Sequence, residues 1–89
     1  MISIDTLEAH ISRFICNEMD LLPEDIDPDL NLGAFGLGSL ASTRLIGSLE
    51  ETFALRLSPT MVFEHPSISR LAEAIAQIAA EQHGGAAHV

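Results

Sequence analysis

The chain has 89 residues and not one of them is lysine. Its four basic residues are arginines, set against 13 acidic ones, for a formal charge of -9. That balance works against nucleic acid and anionic membrane surfaces, and it selects basic protein partners. Cysteine occurs once, at Cys16, so an internal disulfide is excluded. With no basic neighbour visible in the sequence to lower its pKa, Cys16 reads as a small buried hydrophobe. No apolar run is long enough to span a bilayer and no secretory leader is recognisable, so a cytoplasmic setting is expected. Strand-like alternation and internal repeats are also missing. A chain this short makes one small domain that buries about two-thirds of its unfolded surface, enough for a modest core but not for a catalytic cleft of ordinary depth.

What is present is organised around Phe35-Gly36-Leu37-Gly38-Ser39-Leu40. Directly behind it an amphipathic segment runs from Leu40 to Phe53, which puts Ser39 at a helix start. Two readings compete there. The hydroxyl can be an N-cap, accepting from a backbone N–H two or three residues on. Alternatively it is an attachment point, because unpaired N–H groups and the positive end of the helix dipole favour a phosphate ester. At about 100° per residue, Leu45, Leu49 and Phe53 stack on one side of this helix, with Ile46 on the flank. Leu40, Thr43, Arg44, Gly47 and Glu51 fall on the other. Leu40 either points outward as a docking residue or is turned inward by the geometry of the cap.

Ahead of this segment, Ser3 caps a first helix whose apolar stripe is Ile4, Leu7, Ile11, Phe14, Ile15 and Met19. From Asp20 to Gly38 the periodicity breaks into a long connection, which Leu22, Ile26, Leu30, Leu32, Phe35 and Leu37 are expected to staple to the core. Asp25, Asp27 and Asp29 alternate like the opening of a calcium loop. The sixth position is Leu30 where glycine is needed, however, and the twelfth is Gly36 where a bidentate glutamate is needed, which leaves a solvated acidic loop. After Phe53, Ser58-Pro59 marks the start of a short helix carrying Met61, Val62 and Phe63. Glu64-His65-Pro66 ends it, since a residue before proline leaves helical space. Ser67 caps a last helix with the stripe Ile68, Leu71, Ala72, Ile75, Ile78 and Ala79. Residues 1–82 are read as the domain and residues 83–89 as a disordered tail. The four histidines show no ligand spacing, and no metal site is assigned. The fold class is all-α, a four-helix bundle of three long helices and one short, with a long loop between the first two.

From Leu32 to Ala76 a series of signposts resembles the acyl carrier proteins, most of all the carrier domains of polyketide synthases. The series runs Gly36-Leu37-Gly38-Ser39-Leu40, Leu45, Leu49-Glu50-Glu51, Phe53, Leu57, Pro59-Thr60, Val62-Phe63, His65-Pro66-Ser67-Ile68 and Leu71-Ala72. The resemblance implies a right-handed bundle in which a phosphopantetheinyl transferase esterifies Ser39, flanked by Gly38 and Leu40, with 4'-phosphopantetheine. The arm's thiol then holds biosynthetic intermediates as thioesters, and the carrier itself is not an enzyme. Implied partners are the transferase, an acyltransferase or ligase that loads the arm, and a ketosynthase or other synthase enzyme, met by a monomeric carrier. Their docking face is expected at Leu40, Arg44, Gly47 and Glu51, with Met61 and Val62 beyond. One departure from the family pattern is Gly38, where an aspartate is usual. A peptidyl carrier of nonribosomal synthesis is the alternative within the class, and an unmodified helical interaction module the alternative outside it.

Overall fold

A computed structural model describes residues 2–84 of the chain. Four helices account for most of it: α1 (Ile4–Met19), α2 (Ser39–Phe53), α3 (Met61–Glu64) and α4 (Ile68–Ala79). Among the described residues there is no strand, only an isolated antiparallel bridge between Asn31 and Ser67.

Short polar side chains set several of the helix ends. Ser3 Oγ accepts from Thr6 N–H at 3.1 Å and starts α1, and Ser67 Oγ accepts from Arg70 N–H at 3.2 Å and starts α4. Asp20 and Ala54 stop α1 and α2 in the left-handed conformation, with φ of 56° and 55°, and their N–H groups turn back to the carbonyls of Cys16 and Glu50. α3 is shorter than its sequence suggests. Ser58 spends its hydroxyl on Thr60 within a turn, so the helix begins only at Met61, and the non-helical backbone of His65 before Pro66 closes it after one turn.

The apolar stripes meet at the centre. Leu7, Ile11 and Ile15 of α1, Leu45 and Leu49 of α2, and Ile68, Leu71 and Ile75 of α4 are fully buried, and α1 packs most extensively on α4. Removing water from side chains of this kind stabilises the fold by about 1.5–3 kcal/mol each.

The connection between α1 and α2 is ordered by two short 3₁₀ turns, Pro23–Asp25 and Leu32–Phe35. It is anchored to the start of α4. Leu32 N–H donates to Pro66 O at 2.6 Å, Ser69 N–H to Pro28 O at 3.0 Å, and Ser69 Oγ to Asp29 Oδ1 at 3.2 Å. Of the six residues expected to staple this loop, Leu32 and Leu37 are buried and Ile26 and Phe35 half-buried, whereas Leu22 and Leu30 stand exposed. The backbone bonds to α4 hold the loop, which leaves those two leucines free. The aspartates serve the turns: Asp25 accepts from Leu22 N–H and Asp27 from Asp29 N–H. No cluster of three potential metal ligands occurs among the described residues.

Beyond α4 a wide helical turn continues over Ala80–Gly84, across the position where a tail is expected to begin. Its side chains account for this. Gln82 exchanges two hydrogen bonds with the backbone of Arg56, at 2.9 and 2.7 Å, and His83 reaches Ala54 O at 3.0 Å. The remainder of the expected tail, residues 85–89, lies outside the described residues.

Candidate functional site at the start of the second helix

α2 begins without a side-chain cap. Gly38, in extended backbone with φ -88° and ψ -176°, occupies the N-cap position, and Ser39 is the first helical residue. The cap reading of Ser39 is therefore incorrect. The residue sits one position too far into the helix for its hydroxyl to reach the N–H groups that a cap satisfies. Its carbonyl accepts from Thr43 Oγ1 at 2.9 Å, but its hydroxyl has no hydrogen-bond partner among the described residues.

The first intrahelical bond runs from Ser42 N–H to Gly38 O at 2.9 Å, leaving the N–H groups ahead of it without intrahelical acceptors. The first turn carries no acidic side chain to offset the positive end of the dipole. A Cβ added at Gly38 would meet nothing within 4 Å, so the approach to Ser39 is open. An exposed hydroxyl, free N–H groups and an open approach suit a phosphodiester attached at this point. Gly36, at φ +86°, makes the left-handed turn that brings the chain to Leu37 and Gly38.

The predicted outward face of α2 is exposed along its length. Leu40 keeps 69% of its surface in solvent, which excludes the inward alternative, and Thr43, Arg44, Gly47 and Glu51 follow on the exposed side. Arg44 is not free, because its guanidinium donates to Glu18 Oε1 of α1 at 3.0 Å.

The structure does not place Met61 and Val62 on this surface. Both are buried, at 3% and 5% exposure, and belong to the core. In a helix of one turn, successive positions lie about 100° apart, so when Met61 and Val62 face inward Phe63 must face out. Phe63 is 66% exposed and is the apolar side chain that α3 offers to solvent. The sequence treats the three as one apolar patch, and a helical-wheel reading of α3 would have separated them.

Two cavities flank these elements. One of about 300 Å³ is lined by Leu32, Leu37, Ser42, Val62, Phe63 and Pro66, and reaches α2 one turn beyond Ser39. The larger, about 630 Å³, lies between α1 and the following loop and has no α2 residue in its lining. Cys16 lines the larger one, half-buried and with Arg13 in the same wall. Proximity to the serine, not volume, decides which of the two bears on the site.

A helical bundle that presents an unpaired serine hydroxyl at the first turn of its second helix has the architecture of a carrier domain. The chain belongs to the phosphopantetheine attachment site family, whose description matches residues 9–75, a span that includes Ser39. That family is defined by covalently attached 4'-phosphopantetheine. Over 54 residues, 61% of the chain, it is 41% identical to a phenolphthiocerol synthesis polyketide synthase of Mycobacterium bovis. Over 69 residues, 78% of the chain, it is 35% identical to the mycoketide-CoA synthase of Mycobacterium tuberculosis. The chain spans only 3% and 2% of the lengths of these two relatives. Among solved structures it is similar to a free-standing peptidyl carrier protein from an uncharacterized secondary metabolic pathway of Acinetobacter baumannii. That match has a TM-score of 0.80 and 33% identity, and covers 84% of this chain and 94% of the other. The protein is thus a carrier domain related to those of polyketide synthases.

Proposed function

We propose that Ser39 is the attachment point of 4'-phosphopantetheine and that the domain, residues 1–82, carries polyketide intermediates as thioesters between enzymes. The observation that supports this most directly is the hydroxyl of Ser39, exposed and without a hydrogen-bond partner among the described residues, at the open start of α2 and inside the matched span. In the modification, Ser39 Oγ forms a bond to phosphorus as the bond from that phosphorus to the adenosine bisphosphate of coenzyme A breaks. The serine proton passes to a base of the transferase. Gly38 leaves room for that enzyme, and the unpaired N–H groups of the first turn then face the new phosphodiester. The bound arm supplies the thiol on which acyl groups are held. No nucleophile of the chain takes part in the later chemistry, and the carrier acts as a tether that raises the local concentration of its cargo, not as an enzyme.

Leu40, Arg44, Gly47 and Glu51 form the docking face, extended by Phe63 in place of Met61 and Val62. Its partners are a phosphopantetheinyl transferase, a loading acyltransferase or ligase, and a ketosynthase or other synthase enzyme. The carrier works as a cytoplasmic monomer without nucleic acid or membrane. No described helix is long and apolar enough to cross a bilayer, and the formal charge of -9 favours basic partner surfaces. A peptidyl or aminoacyl carrier role is the second reading, favoured by the similarity to the peptidyl carrier of Acinetobacter baumannii. Intact mass after incubation with coenzyme A and a broad-specificity transferase tests the attachment. A gain of one phosphopantetheine supports the reading, and an unchanged mass favours an unmodified interaction module.

A further inference from the structure

The cavity of about 630 Å³ takes no part in the site at Ser39. It is an open groove between α1 and the loop that follows, running beside the helix from Asp5 to Asn17, ~18 Å along its axis. On the helix side Ala9, Ser12 and Cys16 present small side chains at helical spacing, and on the loop side stand Leu21 and Ile26. Leu22, next in the chain to Leu21, is 58% exposed. Three charged side chains also line the groove. Asp5 and Glu8 lie toward the start of α1 and Arg13 about two turns further on, and none of the three belongs to an ion pair among the described residues.

The shape and the free bonding groups select the occupant. A peptide added as a strand needs a row of unpaired backbone groups. The loop has none to give here, because the N–H groups of Leu21, Leu22, Asp25 and Ile26 are already bonded, and Pro23 and Pro28 in the lining carry no N–H. Recognition is left to side chains, as when an amphipathic helix lies in an apolar groove. The small residues of α1 let a second helix approach to the separation of about 8–10 Å at which helices pack. Going beyond the carrier reading, we propose that this groove is a second docking site, which receives an amphipathic helix of a partner protein antiparallel to α1. The charges of the incoming helix complement those of the groove, with a cation at Asp5 and Glu8 and, about two turns earlier in its own sequence, a carboxylate at Arg13. Antiparallel packing sets that carboxylate toward the N-terminus of the incoming helix and the cation toward its C-terminus, where its dipole favours each. No residue of α2 lines the groove, so a partner seated here leaves Ser39 open to a second enzyme and keeps the carrier near it.

The probe is a fluorescein-labelled helical peptide of about four turns, with leucines along one face and a glutamate about two turns before a lysine. Its side chains sum to no net charge, so the formal charge of -9 on the carrier does not attract it unspecifically. Fluorescence anisotropy gives Kd for the parent, Ala9→Arg, Arg13→Glu and Leu40→Ala, with melting temperatures as the fold control, and the rate of Cys16 alkylation is followed with and without peptide. Micromolar binding to the parent is expected. Ala9→Arg should raise Kd about tenfold or more by filling the groove. Arg13→Glu should raise it about fivefold, and should regain the parent value toward a peptide whose glutamate is replaced by lysine. Leu40→Ala should leave Kd unchanged, and the bound peptide should slow alkylation of Cys16. No binding to the parent, a Kd indifferent to Ala9→Arg, or unslowed alkylation overturns the site. A Kd that rises in Leu40→Ala instead puts the peptide on α2 and overturns it too. A parent dimer in sedimentation equilibrium that Ala9→Arg dissolves gives the groove to a second copy of the chain and overturns the partner helix. Modification of Ser39 is read separately by intact mass, so failure of the carrier reading and failure of the groove are distinguishable.

Discussion

Arg44 on α2 and Glu18 near the end of α1 are joined by a 3.0 Å ion pair, so the cation on the exposed ridge is neutralised by the protein's own carboxylate. The side chains retain 59% and 26% of their exposure, a setting in which such a pair stabilises the fold by no more than about 1 kcal/mol. Arg44→Ala should therefore cost little stability. It releases Glu18 and makes the face more negative, so association with a basic partner should accelerate at low salt and converge with the parent at high salt, while Glu51→Ala should shift the rate the other way. Stopped-flow association at several ionic strengths checks both, and rates indifferent to either change would remove the steering argument.

Gly38 has room for a larger residue, since a Cβ there meets nothing within 4 Å and its φ of -88° suits any side chain. Gly38→Asp should stabilise the carrier by a few tenths of a kcal/mol, as aspartate caps a helix better than glycine and opposes the dipole. It should also raise the rate of modification by a transferase with a basic surface. Denaturant titration and transfer kinetics measure the two effects separately, and equal transfer rates would show that the carboxylate is not used.

The apolar residues near Ser39 divide into two groups that mutation separates. Leu40→Ala and Phe63→Ala remove side chains that are 69% and 66% exposed, so stability should change by no more than about 0.5 kcal/mol while partner dissociation becomes faster. Met61→Ala empties a core position and should cost about 2–5 kcal/mol. Thermal melts of the three variants, read beside partner affinity, decide. A Leu40→Ala protein that melts well below the parent and binds as tightly would move Leu40 into the core.

The pattern of what was legible follows the same division. Periodicity placed α1, α2 and α4 and their buried stripes, because a stripe over several turns averages out local irregularity. It also put Leu40 on the outer side of the wheel but left open whether the cap turns it inward, which its 69% exposure decides. It failed where one turn or one residue decides. Whether Ser39 or Gly38 is the cap depends on a single pair of dihedral angles, and the inward pair in α3 depends on a four-residue helix. The ion pair between residues 18 and 44 and the anchoring of residues 28–32 to residues 66–69 are long-range contacts, which no local pattern encodes.

His10 adds a pH dependence to stability. Its Nε2 lies 2.9 Å from Ser48 Oγ, and its ring packs edge-on against Phe53 at 5.3 Å between centroids. Burial, with a smaller effect from the Arg13 charge, lowers its pKa below the ordinary histidine value. The unfolded chain therefore takes up the proton first as pH falls. The contribution of His10 is complete above the ordinary histidine pKa, declines below it, and levels off beneath the lowered folded value. Melts across this range should show a fall in the parent that is smaller in His10→Gln, and identical profiles would assign the dependence to other groups.

The most direct test of the account is peptide mapping of the carrier after reaction with coenzyme A and a broad-specificity transferase, run beside Ser39→Ala. Because the Ser39 hydroxyl caps nothing, Ser39→Ala should stay within about 0.5 kcal/mol of the parent in stability, so a failure to react cannot be blamed on unfolding. One phosphopantetheine is expected on the peptide containing Ser39 and none on a folded Ser39→Ala protein. An arm found on Ser42 or Ser48, or a folded Ser39→Ala protein that is still modified, would contradict it.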